Sequence, residues 1–386
     1  MNKYLNSTVR DMPPSGIRRF FDLVSTMKDV VSLGVGEPDF VTPWTVRESG
    51  IFSLEQGQTM YTSNAGLLEL RQELARYLKK QNGVEYNPNG EILVTVGASE
   101  AVDLVMRALL NPGDEVLIPD PSYISYAPCT ALSGGVVKYV PTREQEDFRL
   151  RVQDLERSYS PKSKLLVLAY PNNPTGAIMT REDLLPIAKF VKEKDLIVLA
   201  DEIYSDLTYA GTHTAFASLP GMRERTLHVS GFSKAYAMTG WRLGYVAGNA
   251  DLIHGMTKIH QYTILCASIT AQYAAIEALT AAGSAKRDMV ATYDQRRRLI
   301  VQGFRDMGLS CFEPLGAFYA FPNISATGLS SEEFCEKLLE EEKVAVVPGS
   351  VFGPSGEGHI RCSYAYSTDQ ISAALERIGR FVKRRI

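Results

Sequence analysis

The sequence predicts an α/β protein with a mostly parallel, mixed central sheet in a large domain and a smaller α+β domain beside it. Three observations carry this reading. Short apolar runs recur along the chain, several of them apolar on both faces, as strands covered by helices on each side require. Stretches with apolar residues at helical spacing alternate with those runs. At 386 residues the chain exceeds one ordinary core, so two domains are expected.

The elements follow in order. Met1 to about Asp39 is an arm with little periodicity. Ile92–Val96 reads as a strand, and Ala98–Leu110 carries Val102, Val105 and Leu109 at helical spacing. Further strands are expected at Glu115–Ile118, Leu165–Ala169, Leu196–Ala200, Thr226–Ser230 and Leu243–Ala247. The region after about Asp288 opens with a long helix. Gly316–Phe321, Val344–Val347 and His359–Ser363 then read as strands, before a closing helix from about Asp369 to Val382. These observations divide the chain into a large domain over 40–287 and a small one made of 1–39 plus 288–386. No repeat, low-complexity segment or polar linker interrupts it.

Composition narrows the function classes. The 41 basic and 44 acidic residues give a net charge of −3, which offers no electrostatic footprint for nucleic acid or an anionic membrane. The basic cluster Arg380, Lys383, Arg384 and Arg385 reads as complementing the dipole of a last helix rather than as a binding tail. No apolar run approaches the ~20 residues that span a bilayer, and no signal-peptide core follows Met1, so a cytoplasmic protein is expected. Five cysteines, at 129, 266, 311, 335 and 362, lack a Cys-x-x-Cys or Cys/His ligand spacing. The five histidines include no His-Glu-x-x-His pair. Neither a disulfide framework nor a metal site is indicated.

Chemically suggestive residues gather just after the strands, where open α/β sheets bind ligands. Tyr170-Pro-Asn-Asn-Pro-Thr-Gly176 follows one run, and turn-forming residues alone would also explain it. Asp201-Glu-Ile-Tyr204 follows the next, and a carboxylate directly after this apolar run needs a cationic or donor partner. Ser230-Gly-Phe-Ser-Lys234 follows the third, with Arg242 eight residues beyond the lysine. Lys234 could be a surface lysine in a loop, but Gly231 and Ser233 also let the backbone approach a ligand. Together the three ends bring an acid, an amide, a phenol, an amine and a guanidinium to one crevice. Pyridoxal phosphate needs this set: a lysine for an imine with its aldehyde, a carboxylate for its ring nitrogen, donors for its phenolate oxygen and a phosphate cradle.

Residues 231–244, from Gly231-Phe-Ser-Lys234 through Ala237, Met238 and Gly240 to Arg242-Leu-Gly244, match the lysine signature of a known family. In them, and over nearly its whole length, the chain resembles the fold-type I, class I pyridoxal-phosphate aminotransferases, especially the aspartate and aromatic enzymes of bacteria and archaea. The resemblance implies that Lys234 attaches the cofactor and shuttles the proton. Asp201 would pair with the ring nitrogen, and Asn173 and Tyr204 with the phenolate oxygen. Gly97-Ala98-Ser99 opens a helix whose N–H groups suit an anion, and Arg242 and Ser233 would complete the phosphate cradle. The family often has serine three residues before the lysine; here that position is Gly231, with Ser230 one further back.

The same resemblance makes Tyr123 the aromatic stacked on the cofactor ring and Arg361 the fork that grips the substrate α-carboxylate. Beside those roles stand a buried core tyrosine for Tyr123 and a structural salt bridge for Arg361. Gly36, in Leu33-Gly-Val-Gly-Glu-Pro-Asp-Phe40, would offer its N–H to that carboxylate; no third glycine or following helix supports a nucleotide-binding reading of its Gly-x-Gly. Tyr61 would reach the neighbouring subunit's phosphate, which implies a homodimer with shared sites. Ile17 would lie near the substrate, and Arg18 or Arg19 are candidates for a distal carboxylate.

The implied reaction is ping-pong transfer of an amino group between an amino acid and a 2-oxo acid, with glutamate and 2-oxoglutarate as one pair. Two alternatives stand beside it. A pyridoxal-phosphate lyase of the carbon–sulfur β-lyase type would keep the same cofactor residues. A non-catalytic regulatory module would need an attached helix-turn-helix segment, for which the arm before Leu33 is too short.

Overall fold

The computed structural model describes residues 1–14, 27 and 29–386. Ile17, Arg18 and Arg19 lie outside the described residues. The chain contributes strands β1 (Val31–Ser32), β2 (Ile92–Thr95), β3 (Glu115–Asp120), β4 (Val136–Pro141), β5 (Ser163–Ala169), β6 (Ile197–Asp201), β7 (Thr226–Gly231), β8 (Gly244–Ala247), β9 (Tyr319–Ala320), β10 (Val344–Ala345), β11 (Val347–Pro348) and β12 (Ile360–Ser363). Seven of them form one sheet in the order β2-β8-β7-β6-β5-β3-β4. Only β8 opposes its neighbours, pairing antiparallel with β2 and β7, so the sheet is mixed and mostly parallel. The C-terminal ends of β2, β5, β6 and β7 therefore open on one edge.

Burial on both faces explains the apolar runs: every residue of β2, β3 and β8 is buried. The helix Gly97–Leu109 covers one face, turning Ala101, Val102 and Val105 into a core shared with Val116, Val167 and Val229. On the other face, the helix Arg181–Glu193 starts at a Thr180/Asp183 capping box and buries Leu184, Ile187 and Val191 against Leu166 and Val198. A further core gathers Tyr293, Ile300, Phe304, Phe318, Phe334, Ile371 and Phe381 around the small three-stranded sheet β11-β12-β9.

Several boundaries differ from the sequence expectation for identifiable reasons. Of the run 316–321 only Tyr319–Ala320 pairs as strand, because Ala317 turns at φ 57° and Gly316 instead bridges Thr208. The run 344–347 divides between two sheets: Val344 pairs in parallel with Val31, and Val347 antiparallel with Arg361. The long helix begins at Gly283, earlier than Asp288, and the closing helix spans Thr368–Lys383 behind a Ser367/Gln370 capping box. Strand β4 was not foreseen; its half-exposed residues lack the fully apolar pattern of its neighbours. At the C-terminus, Arg380 and Arg384 pair with Glu342 (2.9 and 2.8 Å) and Arg385 with Glu341, so these cations bind a neighbouring helix as well as ending their own. Among the described residues no helix is long and apolar enough to cross a membrane, and no cluster of His, Cys, Asp and Glu could hold a metal ion.

Candidate active site

A cleft of about 500 Å³ opens where the parallel strands end. Its lining includes Gly36, Ala98, Ser99, Tyr123, Asn173, Asp201, Tyr204, Ser233, Lys234, Arg242 and Arg361, so these site residues inferred from the sequence meet in one place, while Tyr61 does not line it. Close backbone packing makes this possible. Thr95 and Gly231 both lie opposite Gly244 in the sheet, and a Cβ on Gly231 would stand 2.9 Å from the Gly244 Cα.

Gly97 follows β2 at φ +72°, and a side chain there would meet the Arg242 guanidinium, Nη2 being 2.5 Å from an ideal Cβ. Arg242, itself at φ 53°, is held by its Nη1 donating to the Thr239 carbonyl (3.0 Å). A guanidinium and the first N–H groups of the helix Gly97–Leu109 thus converge, which is the charge distribution of a phosphate site. Ser233 lines the same cleft, whereas Ser230 turns away and donates to the Glu202 carbonyl (3.3 Å).

Asp201 ends β6 almost fully buried. Its Oδ2 accepts from the Tyr126 hydroxyl (2.7 Å) and its Oδ1 from the Ile203 N–H (3.2 Å). Burial pushes its pKa up, with those two donors opposing. No Lys, Arg or His lies within ion-pair reach of it among the described residues. A protonated ring nitrogen is the positive partner that such a carboxylate accommodates, so the donor set here fits pyridoxal phosphate. Next to it, Glu202 is also buried; burial pushes it up, but His213 and His228 hold it well below the ordinary carboxylate range.

Lys234 donates from Nζ to the Gly36 carbonyl at 2.6 Å. Burial lowers its pKa from 10.5 to about 8; Glu37 opposes this and Arg361 and Arg242 add to it. Gly36 therefore presents its carbonyl to the lysine, where the sequence suggested its N–H facing a substrate. The Tyr319 hydroxyl fills the space a Cβ would need there. Tyr204 exchanges a hydrogen bond with that hydroxyl (2.8 Å), and burial raises the pKa of both phenols.

Arg361 is buried, its plane between the rings of Tyr319 (4.6 Å) and Phe352 (4.8 Å). It donates from Nη1 to Asn173 Oδ1 (3.0 Å) and from Nη2 to the Gly34 carbonyl (2.6 Å), while Nε has no partner among the described residues. A buried guanidinium with neutral acceptors is suited to a carboxylate. Tyr61 stands apart, 81% exposed, on the loop after the helix Trp44–Glu55.

Sequence reasoning missed Tyr126, Tyr319 and Glu37. Tyr126 is 75 residues from Asp201 and Tyr319 is 115 from Tyr204, so no local spacing connects them. Glu37 sits inside the glycine-rich loop that was singled out, and its carboxylate accepts from the Thr239 hydroxyl.

Comparison with known proteins agrees with this geometry. The family described as aminotransferase class I and II matches residues 28–378. An aminotransferase-named protein of Bacillus subtilis is 52% identical over 384 residues, covering 100% of both chains. An aspartate aminotransferase of Pyrococcus abyssi is 47% identical over 375 residues, with 96% of each chain covered. The crystal structure of an aromatic aminotransferase from Pyrococcus horikoshii superposes with a TM-score of 0.91 at 47% identity, covering 95% of this chain and 99% of that one.

Proposed function

The chain belongs to the class I and II aminotransferase family, and we propose that this pyridoxal-phosphate-dependent aminotransferase uses glutamate and 2-oxoglutarate as one of its substrate pairs. The observation that carries the site assignment is the convergence of Lys234, Asp201, Arg242 and Arg361 on one cleft. Bound there, pyridoxal phosphate supplies an electron sink for the negative charge that develops at the substrate α-carbon. Lys234 would hold the cofactor through its amine, and the same amine would take up and return the proton at the substrate α-carbon. An amine whose pKa is lowered to about 8 suits that role at neutral pH. Asp201, anchored by Tyr126, would keep the ring nitrogen protonated. Of the cleft-lining residues, Asn173 and Tyr204 would hold the phenolate oxygen, Tyr123 would pack on the ring, and Ala98, Ser99, Ser233 and Arg242 would hold the phosphate. Arg361 grips the α-carboxylate.

The same proposal divides the chain into the domains 40–287 and 1–39 plus 288–386, supported by a core around β9 and β12 drawn mostly from residues after 288, with Tyr204, Leu207 and Ala237 joining it from the large domain. It also assembles the enzyme as a homodimer. Trp44, Phe52, Leu54, Met60, Tyr61 and Tyr262 leave a broad apolar surface, each more than half exposed, and burying it against a second copy would bring Tyr61 to the neighbouring phosphate. A cytoplasmic place of action is supported by five cysteines that are all free. The names of the relatives set the donor panel: aspartate, aromatic amino acids and N-acetyl-LL-diaminopimelate. Incubating the cofactor-loaded enzyme with each donor and 2-oxoglutarate should yield glutamate. Pyruvate and ammonia without glutamate would instead identify a lyase.

A further inference from the structure

One largely buried ionisable cluster takes no part in the chemistry above. The turn Arg143–Phe148 follows β4 and closes through the Phe148 N–H donating to the Arg143 carbonyl (2.8 Å), with Asp147 and Phe148 at φ 56° and 51°. Two sets of contacts leave it in different directions. The Phe148 carbonyl accepts from the Tyr170 hydroxyl at 2.9 Å, three residues before Asn173. The Glu144 carboxylate accepts from Ser310 Oγ (3.0 Å) and Asn323 Nδ2 (3.2 Å), and meets His359 Nε2 at 3.3 Å, two residues before Arg361. The His359 ring stacks on Phe321 (4.9 Å between centroids) and stands edge-on to Phe148 (5.6 Å). Arg361 donating to Asn173 at 3.0 Å closes the circuit.

We propose that Glu144 is a positioning residue for substrate binding: through His359 and Tyr170, its turn holds the strand end bearing Arg361 and the loop bearing Asn173 in one register. This rests on the reading of Arg361 as the α-carboxylate grip. Bidentate recognition tolerates little displacement, and β12 is only four residues long, so its register needs outside support. Glu144 and His359 side chains are 19% and 10% exposed, so removing one partner leaves polar groups poorly solvated. The imidazole of His359 beside it also holds the Glu144 carboxyl below its ordinary pKa, with burial opposing.

The α-carboxylate is gripped alike in ground state and transition state, so a misplaced grip raises KM and spares kcat. Glu144→Ala should raise KM for both amino acid and 2-oxo acid about tenfold, with kcat and cofactor affinity each within about twofold, because Lys234, Asp201 and Arg242 do not depend on this turn. Glu144→Gln, which keeps an acceptor oxygen, should recover most of that loss. Tyr170→Phe, which removes one hydroxyl, should raise KM about threefold and carries the test if Glu144→Ala does not fold. Arg361→Lys is the control. If it raises KM while Glu144→Ala and Tyr170→Phe do not, the positioning role is wrong and the reading of Arg361 stands. If Arg361→Lys leaves KM unchanged, that reading fails and the inference fails with it. A joint fall of kcat and cofactor affinity in Glu144→Ala would mean general disruption and would also overturn it.

Discussion

At the scale of single residues, the chemistry depends on how burial sets protonation. In the proposed site, neutral Lys234 would be the nucleophile that attaches the cofactor, and burial, which disfavours the ammonium, lowers its pKa to about 8. Below that value the neutral fraction falls as pH falls. Attachment of added pyridoxal phosphate to the cofactor-free protein, followed by rapid-mixing absorbance, should therefore slow about tenfold per pH unit below about 8 and level off above it. A midpoint near 10.5 would show the amine to be unperturbed. Lys234→Ala should lose both the attached-cofactor absorbance and turnover, and normal rates in that variant would remove the site assignment. Tyr126→Phe should lower cofactor affinity about three- to tenfold, since one hydrogen bond to a buried carboxylate is lost; equilibrium binding checks it. The sequence was readable for Asp201 and Lys234 because one ends a strand and the other stands just past one, and for Arg242 because it falls eight residues after Lys234 in the same signature. It was silent on Tyr126 and Tyr319, whose partners come from distant segments.

At the scale of elements, the site depends on strand ends packed closely enough to share a ligand. Gly97→Ala is the sharpest probe, because φ +72° disfavours any Cβ and the added methyl meets Arg242. It should weaken cofactor binding by about tenfold and cost about 1 kcal/mol of stability, measured by titration and denaturant unfolding. Unchanged affinity would place the phosphate elsewhere. The central strands were legible because both their faces are buried, which writes an uninterrupted apolar run into the sequence. The short strands β9 to β12 were less so. Their pairing is decided by a positive-φ turn at Ala317 and by a chain that passes from one small sheet to another between Ala345 and Val347, neither of which periodicity encodes.

At the scale of the whole molecule, the proposed homodimer would bury the exposed apolar residues around the helix Trp44–Glu55. Sedimentation should give twice the 42.7 kDa of one chain. A Phe52→Asp/Tyr262→Asp variant should sediment as the single chain and lose activity, because Tyr61 would no longer reach a neighbouring phosphate. An active monomer would exclude shared sites. The assembled enzyme must divide its reaction into two halves, since one cleft serves amino acid and oxo acid in turn. The most direct measurement is the stoichiometry of the first half alone. With glutamate and no oxo acid, the cofactor-loaded enzyme should release one 2-oxoglutarate per subunit and then stop, without free ammonia, until a second oxo acid is added; continuous release of ammonia with oxo acid from an amino acid alone would contradict the account.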